Sequence, residues 1–248
     1  MIIVRTSGGL GNQMFQYAFG RAFALKQNEK LLLIKPNNKE KTPREFLLEH
    51  FNIQADIEQK KRYFRNPFQK ILSGNRQSEN YFKDIEKEIR ADFTLKEKLS
   101  ENAEKTKNEI EISHSVAIHV RRGDYASNPK TRAKHGLCSP DYYAKAVAYI
   151  STRVPSAKFF VFSDDIEWVK KNIPLPLSTI YVSGSNISEC EELVLMSMCK
   201  HDIIANSTFS WWGAWLNQNK EKIVIAPKIW FASGIDENNL IPESWIRL

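Results

Sequence analysis

The chain has 248 residues, of which 42% are hydrophobic and 26% are charged, and its formal net charge is +7. This length suits one large or two small domains, and the apolar content is sufficient to bury a sizeable core. A positive chain favours an anionic partner, such as nucleic acid, an acidic membrane surface or a phosphorylated substrate. Charge alone does not choose among these classes.

No segment of the sequence approaches the roughly 18 consecutive apolar residues that span a bilayer, and Arg5 interrupts any signal-peptide pattern at the N-terminus. We therefore expect a cytoplasmic protein, and we leave open a peripheral association with the inner face of the membrane. The cysteines Cys138, Cys190 and Cys199 form no Cys-x-x-Cys pair. This pattern predicts buried or incidental thiols rather than a disulfide framework or a zinc site.

The N-terminal segment predicts a β-α-β unit. Residues 1–6 contain a short apolar strand that ends in a glycine-rich loop around Gly9. From Asn12, the expected N-cap, apolar residues recur at three- and four-residue steps, which is the period of a helix. Residues 31–34 then supply a second strand. The glycine-rich loop should therefore lie at the carboxyl end of the first strand, where open α/β sheets bind ligands.

Residues 35–113 are polar and rich in Lys, Glu and Asn. We expect the run 84–103 to be helical and exposed. The basic cluster Lys60-Lys61-Arg62 is interpreted as a solvated face rather than a recognition site, because such clusters are more often solvated.

From residue 115 onward, short apolar strands alternate with amphipathic helices, which predicts a parallel, doubly wound sheet. The strands are expected at 116–120, 158–163, 179–182, 202–205 and 223–226, an irregular loop at 121–137, and helices at 165–171, 188–199 and 209–217. Ser139 followed by Pro140, and Ser188 with Glu191, are helix-start signals. Two such α/β halves, 1–113 and 114–248, predict a two-lobed molecule with a cleft between the lobes.

The densest polar cluster, at residues 119–125, stands where a buried strand meets a loop and includes His119, Arg121, Arg122 and Asp124. A guanidinium pairs bidentately with phosphate oxygens and stays charged at any relevant pH, so one arginine is expected to hold a diphosphate. The alternative is that both arginines form salt bridges with Asp124 and neighbouring acids. The embedded Arg-Gly-Asp tripeptide receives almost no weight as an adhesion motif.

A second cluster, Asp164 and Asp165, also closes an apolar strand. One of these carboxylates is placed to accept hydrogen bonds from a guanine base, and the alternative is that it caps the following helix. The chain contains no Asp-x-Asp pair, the usual carboxylate clamp for a divalent ion on a nucleotide sugar. We therefore expect diphosphate binding without a metal and without any other cofactor.

Two further segments carry candidate phosphate contacts. Hydroxyls and backbone N–H groups at the start of a helix bind phosphate well, which points to Ser207, Thr208 and Ser210, although a plain helix cap explains them too. Of the residues that follow, Trp215 is expected in the core, and the paired Trp211 and Trp212 are too costly to expose without a reason. In the N-terminal loop the backbone at Gly9 and the side chains of Asn12 and Gln13 are candidate ligand contacts, with a simple tight turn as the alternative.

Four motifs together resemble the alpha-1,2-fucosyltransferases of glycosyltransferase family 11. They are Gly8-Gly-Leu-Gly-Asn-Gln-Met-Phe-Gln-Tyr17, His119-Val-Arg-Arg-Gly-Asp-Tyr125, Phe162-Ser-Asp-Asp165 and Ser207-Thr-Phe-Ser-Trp-Trp-Gly213. The motifs are individually weak, but their order and spacing are highly specific, and the resemblance spans nearly the whole chain. Residues 35–113 carry no family signature.

The resemblance implies a GT-B-like fold, GDP-fucose as donor, a galactoside acceptor, inversion at the anomeric carbon and no metal. It places Arg121 on the diphosphate, His119 with Asp164 or Asp165 on guanine, and the Ser207–Ser210 hydroxyls beside the phosphates. It also makes 1–113 the acceptor-side lobe and 114–248 the donor lobe. The nearest rival is a transferase with another sugar, acceptor or linkage, such as a protein O-fucosyltransferase. A nucleic-acid-binding protein is disfavoured, because the basic residues are spread among acids rather than forming a stripe with aromatics.

Overall fold

The computed structural model describes residues 1–36, 44–59, 70–72, 74, 76–237 and 239–248, so the Lys60-Lys61-Arg62 cluster lies outside the described residues. The chain divides into two compact units, Met1–Lys98 and Leu99–Leu248. The division falls before the boundary expected at residue 113, because the helix Glu101–Glu111 packs against a helix of the second unit.

The first unit is built on a parallel sheet with the strand order β3-β2-β1-β4. Its described strands are β1 (Ile2–Arg5), β2 (Leu31–Ile34), β3 (Asp56–Glu58) and β4 (Lys70–Leu72). Its described α-helices are α1 (Leu10–Gln27) and α2 (Glu86–Asp92), with short 3-10 helices at Leu48–His50, Glu79–Tyr81 and Lys83–Ile85. The predicted β-α-β unit is confirmed.

Helix α1 begins three residues before the position expected from the sequence. The prediction that Asn12 is the N-cap is wrong: Gly9 holds that position with an extended backbone, and its carbonyl accepts the N–H groups of Asn12 and Gln13. Gly8 precedes it with a φ of +76°, a conformation that favours glycine. The chain therefore turns at Gly8, and α1 begins directly after the Gly9 N-cap.

The prediction of one helix over residues 84–103 is also wrong. Helix α2 ends at Asp92, and backbone hydrogen bonds then tie the chain to residues 50–52: the Asn52 N–H donates to Thr94, and the Lys96 N–H donates to His50. These bonds hold an extended segment, in which Leu95 bridges Phe51. The next helix starts only after the Ser100 N-cap.

The second unit is built on a six-stranded sheet with the order β10-β9-β8-β5-β6-β7, and every pairing is parallel. The strands are β5 (His114–Val120), β6 (Ala157–Ser163), β7 (Ile180–Tyr181), β8 (His201–Ile203), β9 (Val224–Ala226) and β10 (Ile246–Arg247). The helices are α3 (Glu101–Glu111), α4 (Gly123–Ser127), α5 (Pro129–His135), α6 (Pro140–Ser151), α7 (Ile166–Asn172), α8 (Glu189–Met198) and α9 (Thr208–Leu216). The predicted parallel sheet is confirmed, whereas the loop expected at 121–137 contains two short helices.

Both faces of the second sheet are covered. Alternate residues of β5, such as Val116 and Ile118, pack with α6 and α7 on one face, and Ala117 packs with α3 and α8 on the other. The Ser139 cap of α6 and the capping box of Ser188 and Glu191 at the start of α8 are confirmed. These caps satisfy backbone N–H groups that would otherwise have no partner in the first turn.

The cysteines Cys138, Cys190 and Cys199 are all free thiols, and the last two are buried, which confirms their assignment as non-disulfide residues. Within the part of the chain that the structure describes, no helix is long and apolar enough to cross a membrane.

Candidate active site

The strand order of the second unit creates a crevice at the carboxyl edge of its sheet. After β5 the chain passes through α4 and α5 to α6, which lies on one face, while the start of α9 after β8 lies on the other. Because β5 and β8 are neighbours, their following segments diverge at this point. Ligands of open α/β sheets bind at such a switch point.

Arg121 is the first residue after β5 and stands in this crevice with its side chain 24% exposed. One terminal nitrogen pairs with Asp124, and the other lies 2.9 Å from a carboxylate oxygen of Asp164. Burial alone would lower the pKa of the guanidinium, but the carboxylates of Asp164 and Asp124 raise it above its ordinary value. A guanidinium has five N–H donors, so its remaining donors can bind a further anion.

Arg122 has a different set of partners. Its Nε lies 3.0 Å from Asp165, and its guanidinium lies 3.7 Å from the ring centroid of Trp168 on α7. Its backbone N–H donates to Asp164 at 2.8 Å. These contacts fix Arg122 against the start of α7 and leave Arg121 as the arginine that faces the crevice.

The salt-bridge alternative for this cluster is therefore realised, and both acids of the second cluster take part in it. Asp165 also caps α7 by accepting the Trp168 N–H at 3.2 Å, whereas Asp164 makes no such cap and bridges the side chain of Arg121 and the backbone of Arg122. The acidic pair thus orients the arginine pair. Among the described residues, no group of three His, Cys, Asp or Glu side chains is arranged to hold a metal ion.

His119 is the last residue but one of β5 and is almost fully buried, with its ring 5.4 Å from that of Phe209 on α9. Its backbone carbonyl accepts the hydroxyl of Tyr143, and its Nδ1 is shielded from solvent without a partner in the described structure. Burial and the nearby Arg121 lower the pKa of His119 to about 3. The ring is therefore neutral at physiological pH, with one nitrogen able to donate a hydrogen bond and the other able to accept one.

The hydroxyl residues expected beside the phosphates lie at the start of α9. Ser207 is the N-cap by backbone position but makes no side-chain cap bond, and Thr208 opens the helix half-buried. Ser210 is fully buried, and its hydroxyl donates to the carbonyls of Ala205 and Ser207. Thr208 is thus the most exposed of the three, and the Ser210 hydroxyl is used inside the helix start.

The tryptophans of α9 belong to the core, as expected. Trp211 and Trp212 are fully buried, and Trp215 is 5% exposed. The Trp211 indole donates to the carbonyl of Leu240 at 2.8 Å, which gives its one polar atom a partner. This packing fixes α9 rigidly behind the crevice.

An aromatic stack that the sequence did not reveal supports Arg121. The guanidinium lies 5.4 Å from the ring centroid of Tyr125, and His135 of α5 stacks against the same tyrosine at 4.6 Å. Asn206, which follows β8, donates its side-chain amide to the His135 carbonyl at 2.7 Å. Burial raises the pKa of Tyr125 to about 12, so it stays neutral beside the arginine. In the sequence, Tyr125 and His135 are only two aromatic residues in the loop expected at 121–137, and nothing there indicates that they stack.

Glu192 is a second residue that sequence reasoning missed. It lies in the first turns of α8 and is hydrogen-bonded to Ser183, whose hydroxyl oxygen also accepts the Ser163 N–H at the end of β6. Burial, with repulsion from Glu189 and Asp164, raises the pKa of Glu192 to about 7, although the Ser183 hydrogen bond lowers it. A carboxyl group that titrates near neutrality beside Asp164 is typical of functional sites.

The glycine-rich loop lies in the first unit, at the carboxyl end of β1. A side chain at Gly9 would meet no atom within 4 Å, so the backbone there is open to a ligand. Asn12 accepts a hydrogen bond from Gln77 at 2.9 Å. Gln13 is fully buried and uses its side-chain amide within the unit, donating to the carbonyls of Gly8 and Glu45 and accepting the Leu47 N–H. Gln13 therefore holds the loop in shape.

Comparison with known proteins places this arrangement in context. The chain is 34% identical to an Alpha-1,2-colitosyltransferase of Escherichia coli, over 100% of this chain and 99% of that protein. It is 29% identical to the Galactoside alpha-(1,2)-fucosyltransferase 1 of Homo sapiens, over 86% of this chain and 64% of that protein.

A solved structure shares the fold. The fucosyltransferase NodZ from Bradyrhizobium superposes with a TM-score of 0.52 at 13% identity, over 86% of this chain and 91% of that chain. The fold is thus α/β and GT-B-like, as the motifs implied. Residues 1–248 match the family model described as Glycosyl transferase family 11. With motifs, fold and full-length match in agreement, the chain belongs to glycosyl transferase family 11 and is a glycosyltransferase.

Proposed function

We propose that this protein is an inverting galactoside α-1,2-fucosyltransferase that transfers L-fucose from GDP-fucose to a terminal galactose hydroxyl of a glycan. Family membership gives the enzyme class, and the proposal adds donor, acceptor and linkage. It is supported by the four motifs and by the similarity to the human galactoside alpha-(1,2)-fucosyltransferase.

The observation that carries the proposal is the placement of Arg121. When GDP leaves, negative charge grows on its diphosphate, and fixed donors aimed at that charge lower the barrier most. Arg121 is held between Asp124 and Asp164 at the switch point of the sheet, so it needs little reorganisation to meet the diphosphate. The start of α9, at Ser207 and Thr208 after the neighbouring strand β8, favours phosphate at the same edge, because the positive end of the helix dipole attracts anions.

The acidic residues at this edge of the sheet suit guanine as the base. Guanine presents N–H groups that can donate hydrogen bonds to a carboxylate. Asp164 and Asp165 are each engaged by an arginine, whereas Glu192, which lies near Asp164, is held by the Ser183 hydroxyl. We therefore assign Glu192, with Asp164 and the neutral ring of His119, to the guanine side of the site.

The mechanism needs a proton acceptor and charge neutralisation. Asp124 orients Arg121 through its ion pair, and we propose the same carboxylate as the group that takes the proton of the acceptor hydroxyl. We propose that no metal ion is needed, because the fixed guanidinium supplies at the diphosphate the positive charge that a divalent ion supplies in other enzymes.

A second donor is favoured by one specific observation. One Escherichia coli relative that matches over the full chain is an Alpha-1,2-colitosyltransferase. Colitose is fucose without its 3-hydroxyl, so the same nucleotide site would serve either sugar. The 3-hydroxyl is the chemical feature that distinguishes the two candidates.

The test is release of GDP from GDP-fucose and from GDP-colitose, each with lactose and EDTA. The parent is compared with Arg121→Ala and with Arg153→Ala, a matched control in which an exposed arginine at the end of α6 packs on Tyr149. We expect turnover of GDP-fucose in the presence of EDTA. We also expect Arg121→Ala to lose about 100-fold or more, as oxyanion donors do when removed, and Arg153→Ala to match the parent.

Each result bears on a different part of the proposal. Faster turnover of GDP-colitose than of GDP-fucose would show that GDP-colitose is the donor. Loss of activity in EDTA would show that the enzyme needs a metal ion. Parent-like turnover by Arg121→Ala would reject the diphosphate assignment. If GDP-fucose binds by calorimetry but lactose yields no GDP, the galactoside acceptor is wrong.

A further inference from the structure

One surface of the second unit combines exposed cations with exposed apolar side chains. Helix α5 carries Lys130, Arg132 and Lys134, all of them exposed, and residues 128–135 contain no acid. The segment 228–235 adds Lys228 and also contains no acid. Asp236 and Glu237 follow directly, but Glu237 accepts the Trp230 N–H and pairs with Arg247, so the four cations still exceed the acids at this surface.

The two segments form a single surface. The backbone N–H groups of Ala232 and Ser233 donate to the carbonyls of His135 and Lys134. A side chain added at Gly136, just after α5, would come within 3.1 Å of the Ala232 side chain. We call residues 130–134 of α5 together with residues 228–235 the basic-apolar surface.

The apolar part of this surface is large for an exposed segment. Ile229 is 65% exposed and Ile235 is 45% exposed, although Trp230 between them is buried. Single exposed apolar residues are common and need no explanation. Two exposed isoleucines on a seven-residue stretch that follows Lys228 and packs beside the cations of α5 are instead typical of a surface that lies at a membrane interface, where apolar side chains enter the headgroup region and cations meet anionic lipids.

The basic-apolar surface is also coupled to the site. Asn206 donates hydrogen bonds from its side-chain amide to the carbonyls of His135 and Trp230. This single residue, in the segment that follows β8, therefore anchors both segments at the carboxyl edge of the sheet. His135 in turn stacks on Tyr125 beside Arg121. A membrane bound here would lie next to the crevice, where an acceptor carried on a lipid would be presented.

We propose that the basic-apolar surface docks on an anionic phospholipid bilayer. The proposal concerns binding alone and does not depend on the identity of the donor sugar. The occupant is a bilayer rather than a soluble polyanion because the exposed isoleucines have no role in binding a soluble anion. The cations match the negative surface potential of anionic lipids, and each is expected to contribute about fivefold in partitioning.

The experiment measures pelleting of the full chain with vesicles. Vesicles of about 30% phosphatidylglycerol in phosphatidylcholine are compared with pure phosphatidylcholine at low and high salt. The test variant is Lys130→Gln/Arg132→Gln/Lys134→Gln, and the control is Lys87→Gln/Lys105→Gln/Lys145→Gln, which removes the same charge from exposed positions elsewhere. A third variant, Ile229→Ser, tests the apolar part without a change of charge.

We expect binding to the anionic vesicles only, weakened by high salt because mobile ions screen the charges. The test variant should bind about 100-fold more weakly than the parent, Ile229→Ser about tenfold more weakly, and the control variant within about threefold of the parent. No binding to anionic vesicles, or equal weakening of the test and control variants, would overturn the proposal. If Ile229→Ser binds as the parent does while heparin competes fully for the protein, the partner is a soluble polyanion and the bilayer is rejected.

Discussion

Gly123 occupies a position where a side chain would collide with the carboxylate that holds Arg121. A Cβ there would lie 2.5 Å from a carboxylate oxygen of Asp164. That oxygen cannot simply move aside, because the Asp164 carboxylate is bound by the side chain of Arg121 and by the backbone N–H of Arg122. Glycine is required here because the backbone approaches the acid closely.

Gly123→Ala should therefore displace Asp164 and with it the guanidinium. We expect kcat/KM for GDP release to fall about 10- to 100-fold, since small misplacements of catalytic groups have effects of that size. Ser127→Ala is a suitable control, because it removes a hydrogen bond to the Gly123 carbonyl within the same short helix and leaves Asp164 untouched. Equal activities for the two variants would show that the pairing of Asp164 and Arg121 is not needed.

At this scale, sequence reasoning identifies the charged groups but not how they pair. It predicts that Arg121 stands at a strand end with acids nearby, because motif and strand pattern coincide there. It does not separate Asp164 from Asp165, since either can cap α7, and it does not find Glu192 at all. The surroundings of Glu192 come from Ser183 and Asp164, which are distant in sequence, so no local pattern marks it.

At the scale of elements, Glu191 joins the starts of two helices. Its carboxylate accepts the Ser188 N–H within the capping box of α8 and the Ser100 N–H at the N-cap of α3, at 2.8 and 2.6 Å. The carboxylate is partly buried, which opposes its charge, but these backbone hydrogen bonds lower the pKa of Glu191 below its ordinary value. The helix that moves the unit boundary to residue 98 is thus tied to α8 through one side chain.

Glu191→Ala should destabilise the protein more than Ser188→Ala does. Loss of the Ser188 hydroxyl removes one cap and should lower the free energy of unfolding by about 1 kcal/mol. Loss of the Glu191 carboxylate leaves backbone N–H groups at two helix starts without their acceptor. We expect this change to lower the free energy of unfolding by about 2 kcal/mol. Urea unfolding of both variants measures the difference, and a larger loss for Ser188→Ala would contradict this account.

Elements with strong local signals are predicted well, and the others depend on contacts that the sequence does not display. The caps at Ser139 and Ser188 are correct because the side chains bond within their own first turns. The run 84–103 has helical composition throughout, yet it breaks after Asp92 because its backbone bonds with residues 50–52. Propensity cannot anticipate a competing tertiary partner.

At the scale of the molecule, the alternation of strands and helices is sufficient to predict the second sheet, while its order comes from packing. Strands β8 to β10 lie on one side of β5, and β6 and β7 lie on the other. This reversal creates the switch point and places the segments that carry Arg121 and Ser207–Thr208 after neighbouring strands, at one edge of the sheet. Chain order alone separates these residues by more than eighty positions, and only the family motifs link them beforehand.

Asp202 makes the stability of the fold depend on pH. It lies on β8, fully buried, with one oxygen accepting the Asn217 amide at 2.8 Å and the other shielded without a partner among the described residues. Burial raises the pKa of Asp202 to about 7, although Asn217 and Lys222 lower it. The folded chain therefore binds a proton between about pH 4 and 7 that the unfolded chain does not bind.

Stability should thus decrease, as far as Asp202 is concerned, when the pH rises from about 4 through 7, because ionisation leaves a buried charge. Asp202→Asn removes that charge and retains an oxygen for the Asn217 amide. We expect its free energy of unfolding to exceed that of the parent by between about 1 and 4 kcal/mol at pH 8, with a much smaller difference at pH 4. Glu192 contributes a similar pH dependence of stability, and His119 contributes one of opposite sign. Both residues are present in the parent and in the variant, so their contributions cancel in the difference between the two free energies of unfolding. Urea unfolding at the two pH values measures the difference, and an advantage of the variant that does not grow with pH would show that Asp202 is already protonated, or well solvated, at pH 8.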